Sequence, residues 1–208
     1  NIALVNELAQ FTDELGIDVT EAIEMANTQP YVDLHTPGPG VGGHCIPYYP
    51  HFLIHPFETE APLLRTAREI NDGMPEFTVE KLHEEFDAEG RELDDATVLV
   101  FGLTYRPGVN EIRATPSLPI AEQLAEQGVD VRLVDPVLDD FEAFTGTPTE
   151  LDEIYDSDPD AAVMVTPHQE FDDIEWERFD PLVVIDGRQS LDLTETAHRV
   201  YTIGSGIQ

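Results

Sequence analysis

Apolar residues recur at three- and four-residue intervals at the start of the chain. Ile2, Val5, Leu8, Ala9, Thr12 and Leu15 line one side of a helix over residues 2–15, and Gly16 supplies a stop. A second short helix is predicted from Val19 to Ala26, with Asp18 as its N-cap. The periodicity then lapses. Prolines 30, 37, 39, 47, 50, 56 and 62 punctuate a long irregular stretch, and connections of that length inside a compact domain are usually functional or disordered. Helical spacing returns from about Ala61 to Glu89 through Leu63, Leu64, Ala67 and Ile70, with Pro75 marking a break or a new start.

The pattern changes near Gly90. Thr97 to Gly102 reads as a fully buried strand, too continuous in its apolar run to alternate. Leu118 to Gln127 reads as a helix ended by Gly128. Val129 to Val134, Ala162 to Val165, Leu182 to Ile185 and Val200 to Ile203 supply further short apolar runs. Strand alternating with helix implies an α/β fold with a parallel sheet covered on both faces. The chain therefore divides into a helical segment, residues 1–90, and an α/β domain, residues 91–208. Neither internal repeats nor low-complexity tracts interrupt this order.

The irregular stretch holds the most unusual chemistry. Cys45 is the only cysteine of 208 residues, and it ends the run Pro37-Gly38-Pro39-Gly40-Val41-Gly42-Gly43-His44-Cys45. A lone thiol has no intrachain disulfide partner. Glycines let backbone approach a bound molecule closely, so the run suits a nucleophile presented to a small substrate. The plainer alternative is a tight turn with an apolar thiol packed behind it. His44 beside Cys45 lowers its pKa only if the two side chains converge.

Charge narrows the partners. Forty-three acidic residues face ten basic ones, a net charge of −33, and Lys81 is the only lysine. Such a surface repels nucleic acid and anionic membranes, so neither is an expected partner. At about 1 M salt the screening length falls to roughly 3 Å, so the composition suits a salt-rich cytoplasm. The single thiol, the lack of a leader-like start and the lack of a long apolar stretch point to the same compartment.

Each scarce arginine near a glycine turn has a claim to an anion. Tyr105 and Arg106 follow the first strand, where ligands of parallel sheets sit, although an ordinary strand-to-loop turn explains Gly102 to Arg106 equally well. Arg113 either meets an anion or pairs with Glu111, and Thr115 is placed to cap the next helix. Asp186-Gly187-Arg188 ends another strand and reads as a ligand contact or a surface ion pair. The seven histidines show no metal spacing: His51 and His55 are four apart, but Pro50 and Pro56 argue against a helix there.

Together these segments resemble the nucleotide-sugar 6-dehydrogenases, the UDP-glucose/GDP-mannose dehydrogenase family. The likeness rests on Asn6-Glu7-Leu8-Ala9, Pro37 to Cys45, Thr66 to Asp72, Gly102 to Pro116, Val134-Asp135-Pro136 and Val184 to Arg188. The cysteine run is most similar to the branch acting on UDP-N-acetylmannosamine. The resemblance implies an N-terminal NAD-binding Rossmann domain and catalytic Lys and Asn residues before Asn1. It also implies a central helical segment that forms a homodimer and a Rossmann-like domain that binds the UDP-sugar. By the same resemblance Cys45 is the catalytic nucleophile of a four-electron oxidation at C6, through a thiohemiacetal and a thioester. Gly38, Gly40, Gly42 and Gly43 shape the sugar-phosphate loop; Tyr105, Arg106 and Arg188 hold the UDP-sugar; Arg113 reaches the NAD pyrophosphate.

Three positions depart from the family. Tyr49 stands where many members carry an Asp, and Tyr31 where many carry an Arg that reaches the partner's sugar site, a loss for which the nearby His35 is the candidate substitute. Arg106 stands where many have Lys. Two other classes compete with the enzyme: a nucleotide-sugar-binding and dimerisation module without chemistry of its own, and an unrelated cysteine hydrolase, for which no histidine and acid can be paired with Cys45.

Overall fold

A computed structural model describes the whole chain, Asn1–Gln208. The first helical stretch divides in two: α1 (Ile2–Ala9) and α2 (Thr12–Leu15). The expectation of one helix over 2–15 is corrected for a tertiary reason. At Gln10 and Phe11 the backbone tightens to bonds three residues back, and the buried Thr12 hydroxyl donates to the Gly204 carbonyl across the molecule. Gly16 ends α2 at φ 63°, as its lack of a Cβ allows. In α3 (Val19–Asn27), Asp18 accepts from the Glu21 N–H.

Two short helices lie inside the irregular stretch, α4 (Cys45–Tyr48) and α5 (His51–Ile54). The prolines do not prevent the second: Pro50 occupies the N-cap, where no backbone donor is required, so the ring geometry favours a start. His51 and His55 consequently stack, ring centroids 5.2 Å apart. No group of three or more potential metal-binding side chains forms there or elsewhere. Helix α6 (Pro62–Ala88) then runs 27 residues straight through Pro75. The expected break is absent because Met74, Pro75, Thr78, Val79, Leu82 and Phe86 are all buried on one side, and that burial holds the helix together across the missing N–H. No helix is long and apolar enough to cross a membrane.

After α6 come β1 (Thr97–Phe101), α7 (Ser117–Glu126), β2 (Asp130–Val134), β3 (Thr147–Pro148), β4 (Ala161–Met164), β5 (Val183–Asp186), β6 (Arg199–Thr202) and β7 (Gly206–Ile207). They form one sheet in the order β3-β2-β1-β4-β5-β6-β7, parallel except for the last pairing. Residues alternate between its faces. Val98, Val100, Val163 and Ile185 point to the side covered by α6 and α7, where Leu82, Phe86, Ile120 and Leu124 complete one core; Leu99, Phe101, Met164 and Val184 point to the other. That second face is covered by short 3-10 turns and the rings of Phe171, Trp176 and Phe179 rather than by the α-helices a doubly wound pattern suggests. Helix α7 starts after Pro116, so Thr115 is not its side-chain cap; the Thr115 hydroxyl pairs with Ser117 Oγ instead, 2.7 Å away.

Lys81 shows how the chain uses its few cations. Its amine is almost enclosed, bonded to Asp13 and Glu84 and 5.4 Å from the centre of the Tyr201 ring. Burial lowers its pKa and the two carboxylates more than reverse that, so it stays charged. It ties α2, α6 and β6 together.

Candidate functional site

Helix α6, the start of α1 and the sheet converge on one segment, Pro37 to Cys45. Asn6 Oδ1 accepts from the Gly38 N–H at 3.0 Å, and Asn71 Oδ1 from the Val41 N–H at 2.9 Å. Arg188 crosses from the end of β5: Nη2 donates to the Gly40 carbonyl at 2.7 Å and Nε to the Val165 carbonyl at 2.9 Å. Gly43 N–H donates to the Arg113 carbonyl at 2.7 Å. The segment is thus fastened from three directions.

The glycines have a definite steric reason. A Cβ on Gly42 would stand 2.6 Å from the Ala114 carbonyl oxygen, and one on Gly43, at φ 94°, would stand 2.9 Å from the Tyr105 ring. A Cβ on Gly38 would meet Arg188 Nη1 at 2.7 Å. What the backbone approaches so closely is the α/β domain itself. Gly102 is a turn residue by the same test: its φ is 81° and a Cβ would fall 2.0 Å from the Thr166 carbonyl. The crevice between the carboxyl ends of β1 and β4, where such sheets commonly take ligands, is filled by Thr166, Thr104 and His168.

Two aspartates set the strand ends beneath the loop. Asp135, after β2, accepts from the N–H groups of Leu103, Thr104, Val137 and Leu138 and lies 3.2 Å from His168 Nε2. Burial pushes its carboxyl up, but the His168 bond and the amides outweigh that and hold it at about 2. Asp186, after β5, is fully buried, and its pKa is raised by that desolvation despite bonds from the Arg188, Ser190 and Leu191 amides.

The exposed rim carries the remaining candidate residues. Cys45, the first residue of α4, is exposed rather than packed behind the turn. One helical turn on, the neighbouring Cys45 raises the pKa of the Tyr49 phenol above its ordinary 10. Tyr49 is therefore a hydrogen-bond donor here and not a base. His44 turns away from Cys45 to Glu111, 3.3 Å from Nε2 to Oε2. Arg113 lies 4.0 Å from Glu111 through Nε, half exposed. Arg106 lies over the Tyr105 ring at 6.0 Å and has no carboxylate or carbonyl partner, alone among the ten cations.

The structure therefore packs Gly42 and Gly43 on Tyr105 and on the backbone of Arg113 and Ala114, with Arg106 over the Tyr105 ring and Cys45 two residues beyond Gly43 in sequence. Arg188, with Gly38 and Gly40, sits at the inner end of the loop as a brace. It makes no surface ion pair; burial draws its guanidinium down to about 10 although Asp186 opposes the shift, so it stays charged at neutral pH. His35 is placed apart, at the mouth of a cavity with Ile46 and Arg68. Tyr31 is 98% exposed and touches none of these groups. Asn6 and Asn71 carried no functional expectation, since each acts on a residue 30 or more positions away.

Residues 1–73 match the central domain of the UDP-glucose/GDP-mannose dehydrogenase family, and residues 99–193 match its UDP binding domain. A UDP-N-acetyl-D-mannosamine dehydrogenase from Pyrococcus horikoshii is 38% identical over 192 residues, covering 90% of this chain and 44% of the relative. One from Methanocaldococcus jannaschii is 35% identical over 216 residues, covering 99% and 48%. The solved UDP-D-ManNAc dehydrogenase of Pyrococcus horikoshii superposes with a TM-score of 0.87 at 35% identity, covering 99% of this chain and 48% of that one. The chain spans just under half the length of these relatives.

Proposed function

The chain belongs to the UDP-glucose/GDP-mannose dehydrogenase family, and from that premise we propose that it is the central and UDP-binding portion of an NAD-dependent UDP-sugar 6-dehydrogenase. The sugar is UDP-N-acetylmannosamine, the substrate class for which its similar relatives are named, and the product is the corresponding uronate. One observation carries the reading: an exposed thiol at the end of a braced glycine loop that packs on Tyr105, whose neighbour in sequence, Arg106, is the only cation of the chain without a carboxylate or carbonyl partner.

The C6 alcohol first loses a proton and a hydride to become the aldehyde; Cys45 as thiolate then adds to that carbon, and the carbonyl electron pair moves onto oxygen to give the thiohemiacetal. Loss of hydride restores the carbonyl as a thioester. Water then adds, the carbon–sulfur bond breaks, and carboxylate and thiolate separate. Covalent capture keeps the aldehyde from escaping. Tyr49, kept protonated, offers the sulfur a hydrogen bond and so steadies the thiolate between these steps. Arg106 and Tyr105 receive the diphosphate and base of the UDP moiety, a cation over an aromatic ring suited to both. Among these residues Arg113, half exposed and 4.0 Å from Glu111, would be the one to hold the pyrophosphate of NAD. NAD, when bound, supplies the hydride acceptor.

A homodimer formed through the helical segment is part of the same reading. Leu4, Leu8, Phe11 and Leu15 form an exposed apolar stripe along α1 and α2, which a second copy covers in a homodimer. The acidic surface suits a salt-rich cytoplasm, where screening relieves self-repulsion.

Calorimetry with UDP in molar KCl tests the assignment: binding is expected, and Arg106→Ala weakens it at least tenfold. Absence of UDP binding removes the nucleotide assignment. In the protein carrying its NAD-binding part, Cys45→Ala abolishes acid formation, and an unchanged yield of reduced NAD refutes the thiol's role.

A further inference from the structure

Residues 44–53 carry the thiol on two short helices, and one hydrogen bond alone ties them to the rest of the protein. The backbone bonds of this stretch stay inside it: Tyr49 N–H donates to the Cys45 carbonyl, Phe52 N–H to Tyr49, and Leu53 N–H to Pro50. The exception is His44, the N-cap of α4, whose Nε2 lies 3.3 Å from Glu111 Oε2. The ties on either side belong to Gly43, whose N–H donates to the Arg113 carbonyl, and to Ile54, whose carbonyl accepts from Arg65 Nη2. Glu111 is built to take the His44 bond. Its own carbonyl accepts from the Tyr105 N–H at 3.0 Å and its N–H donates to the Val109 carbonyl at 2.9 Å, so its backbone is fixed. Its Oε1 accepts from the Arg113 N–H at 3.2 Å and lies 4.0 Å from Arg113 Nε, which leaves Oε2 for His44. One carboxylate thus serves two neighbours through different oxygens.

We propose that Glu111 is the positioning residue for Cys45: it holds His44, and through the peptide unit that His44 shares with Cys45 it keeps the thiol-bearing residue in a fixed relation to Arg113. The inference rests on the reading of Cys45 as the nucleophile of a UDP-sugar dehydrogenase. Exposed pairs of this kind contribute little to stability, so the consequence of this one lies in where it places its partners. The peptide unit is planar and its two Cα atoms stand about 3.8 Å apart, so restraint on His44 passes directly to Cys45. Asn6, Asn71 and Arg188 fasten the glycine run at Gly38, Val41 and Gly40, and none of them reaches past Gly43. In the proposed reaction the sulfur stays on one carbon while that carbon gives up hydride, and Arg113 is the residue assigned to NAD. A carboxylate bonded toward both keeps them in register, and a misplacement of about 1 Å costs on the order of 10²-fold in rate.

A nitroxide attached to Cys45, the only thiol, tests this in the 208-residue chain in molar KCl. The native chain is expected to show a slowly tumbling component, and Glu111→Ala and His44→Ala should each lose it. Glu111→Gln keeps an acceptor for His44 and should recover part of it. The unfolding midpoint should stay in place in all three, which separates positioning from a structural role. Arg178→Ala breaks an exposed pair elsewhere, with Glu175, and should leave the spectrum as it was. In the protein carrying its NAD-binding part, Glu111→Ala should lower kcat by about tenfold or more while KM for UDP-N-acetylmannosamine stays the same. An unaltered nitroxide spectrum in Glu111→Ala overturns the proposal. So does a label freed in Glu111→Ala but not in His44→Ala, because the tether then runs by another route. A change in KM alone makes Glu111 a substrate contact and also overturns it. A native full-length protein that makes no acid overturns the dehydrogenase reading instead, and the nitroxide result then stands by itself.

Discussion

Pro37 to Gly43 and His44 to Phe57 are consecutive stretches of one segment, yet they differ in nearly every physical respect. In the first, all but Val41 are buried, and the backbone is held by Asn6, Asn71 and Arg188. In the second, most residues are exposed, and helices of four residues carry Cys45, Tyr49 and the stacked His51 and His55 toward solvent. The difference separates two tasks. Catalytic groups need a position fixed within a fraction of an ångström and a surface open to substrate. The glycines fit protein against protein, and the thiol of Cys45 is left exposed.

The largest effect is expected from unfastening the buried stretch. Arg188→Met keeps much of the side chain's volume but leaves the Gly40 and Val165 carbonyls without their donor, and should lower stability by roughly 2–5 kcal/mol in a denaturant titration. An unchanged midpoint would show that the brace contributes nothing. Gly42→Ala forces a methyl to within 2.6 Å of a backbone oxygen, for about 1–3 kcal/mol. In both variants the rate of Cys45 alkylation should become heterogeneous, since the thiol then samples several positions.

Acid probes the floor beneath the loop. Asp135 has a folded pKa of about 2 against an ordinary 3.8, so its contribution of about 2 kcal/mol is fully present above 3.8 and is lost as pH falls through about 2. Asp186 has the opposite sign: its raised pKa means that its ionised form opposes folding, and protonation relieves that opposition. Asp135→Asn should therefore flatten the acid limb of the stability–pH curve, and a limb of unchanged steepness would assign the acid sensitivity elsewhere. Asn71→Ala removes the acceptor of the Val41 N–H and the weaker donor bonds to the Val41 carbonyl and Asp72, and should lower stability by about 1–2 kcal/mol.

The exposed stretch should respond least in stability and most in spectroscopy. Tyr49→Phe is expected to change the unfolding midpoint negligibly, as is usual for surface substitutions. Conversely, Cys45→Ala should bring the Tyr49 phenol back toward 10 in an ultraviolet titration, because the thiol is what raises it. A phenol that does not move would dissolve the pairing of the two residues.

Continuous apolar runs made β1, β2, β4, β5 and β6 readable from the sequence, and Gly16 and Gly128 marked their helix ends correctly. The two-residue strands β3 and β7 were illegible because pairing, not composition, defines them. Pro75 misled because its local preference is overridden by the buried side of α6. In the site, Cys45 and the glycines were conspicuous, but the closeness those glycines permit proved to be with Tyr105 and Ala114. Arg188 pairs with a carbonyl 148 residues earlier, a relation no local pattern encodes. The absence of a partner for Arg106 is likewise visible only once every other cation has been placed.

Lys81 has a practical corollary. With the one lysine shut between Asp13, Glu84 and Tyr201, acylating dyes and amine-coupling resins find no accessible side-chain nucleophile of their preferred kind. The lone thiol, which is exposed, becomes the natural anchorage for a fluorophore or spin label, and reagents that activate acids become the means of mapping which surfaces meet in an assembly.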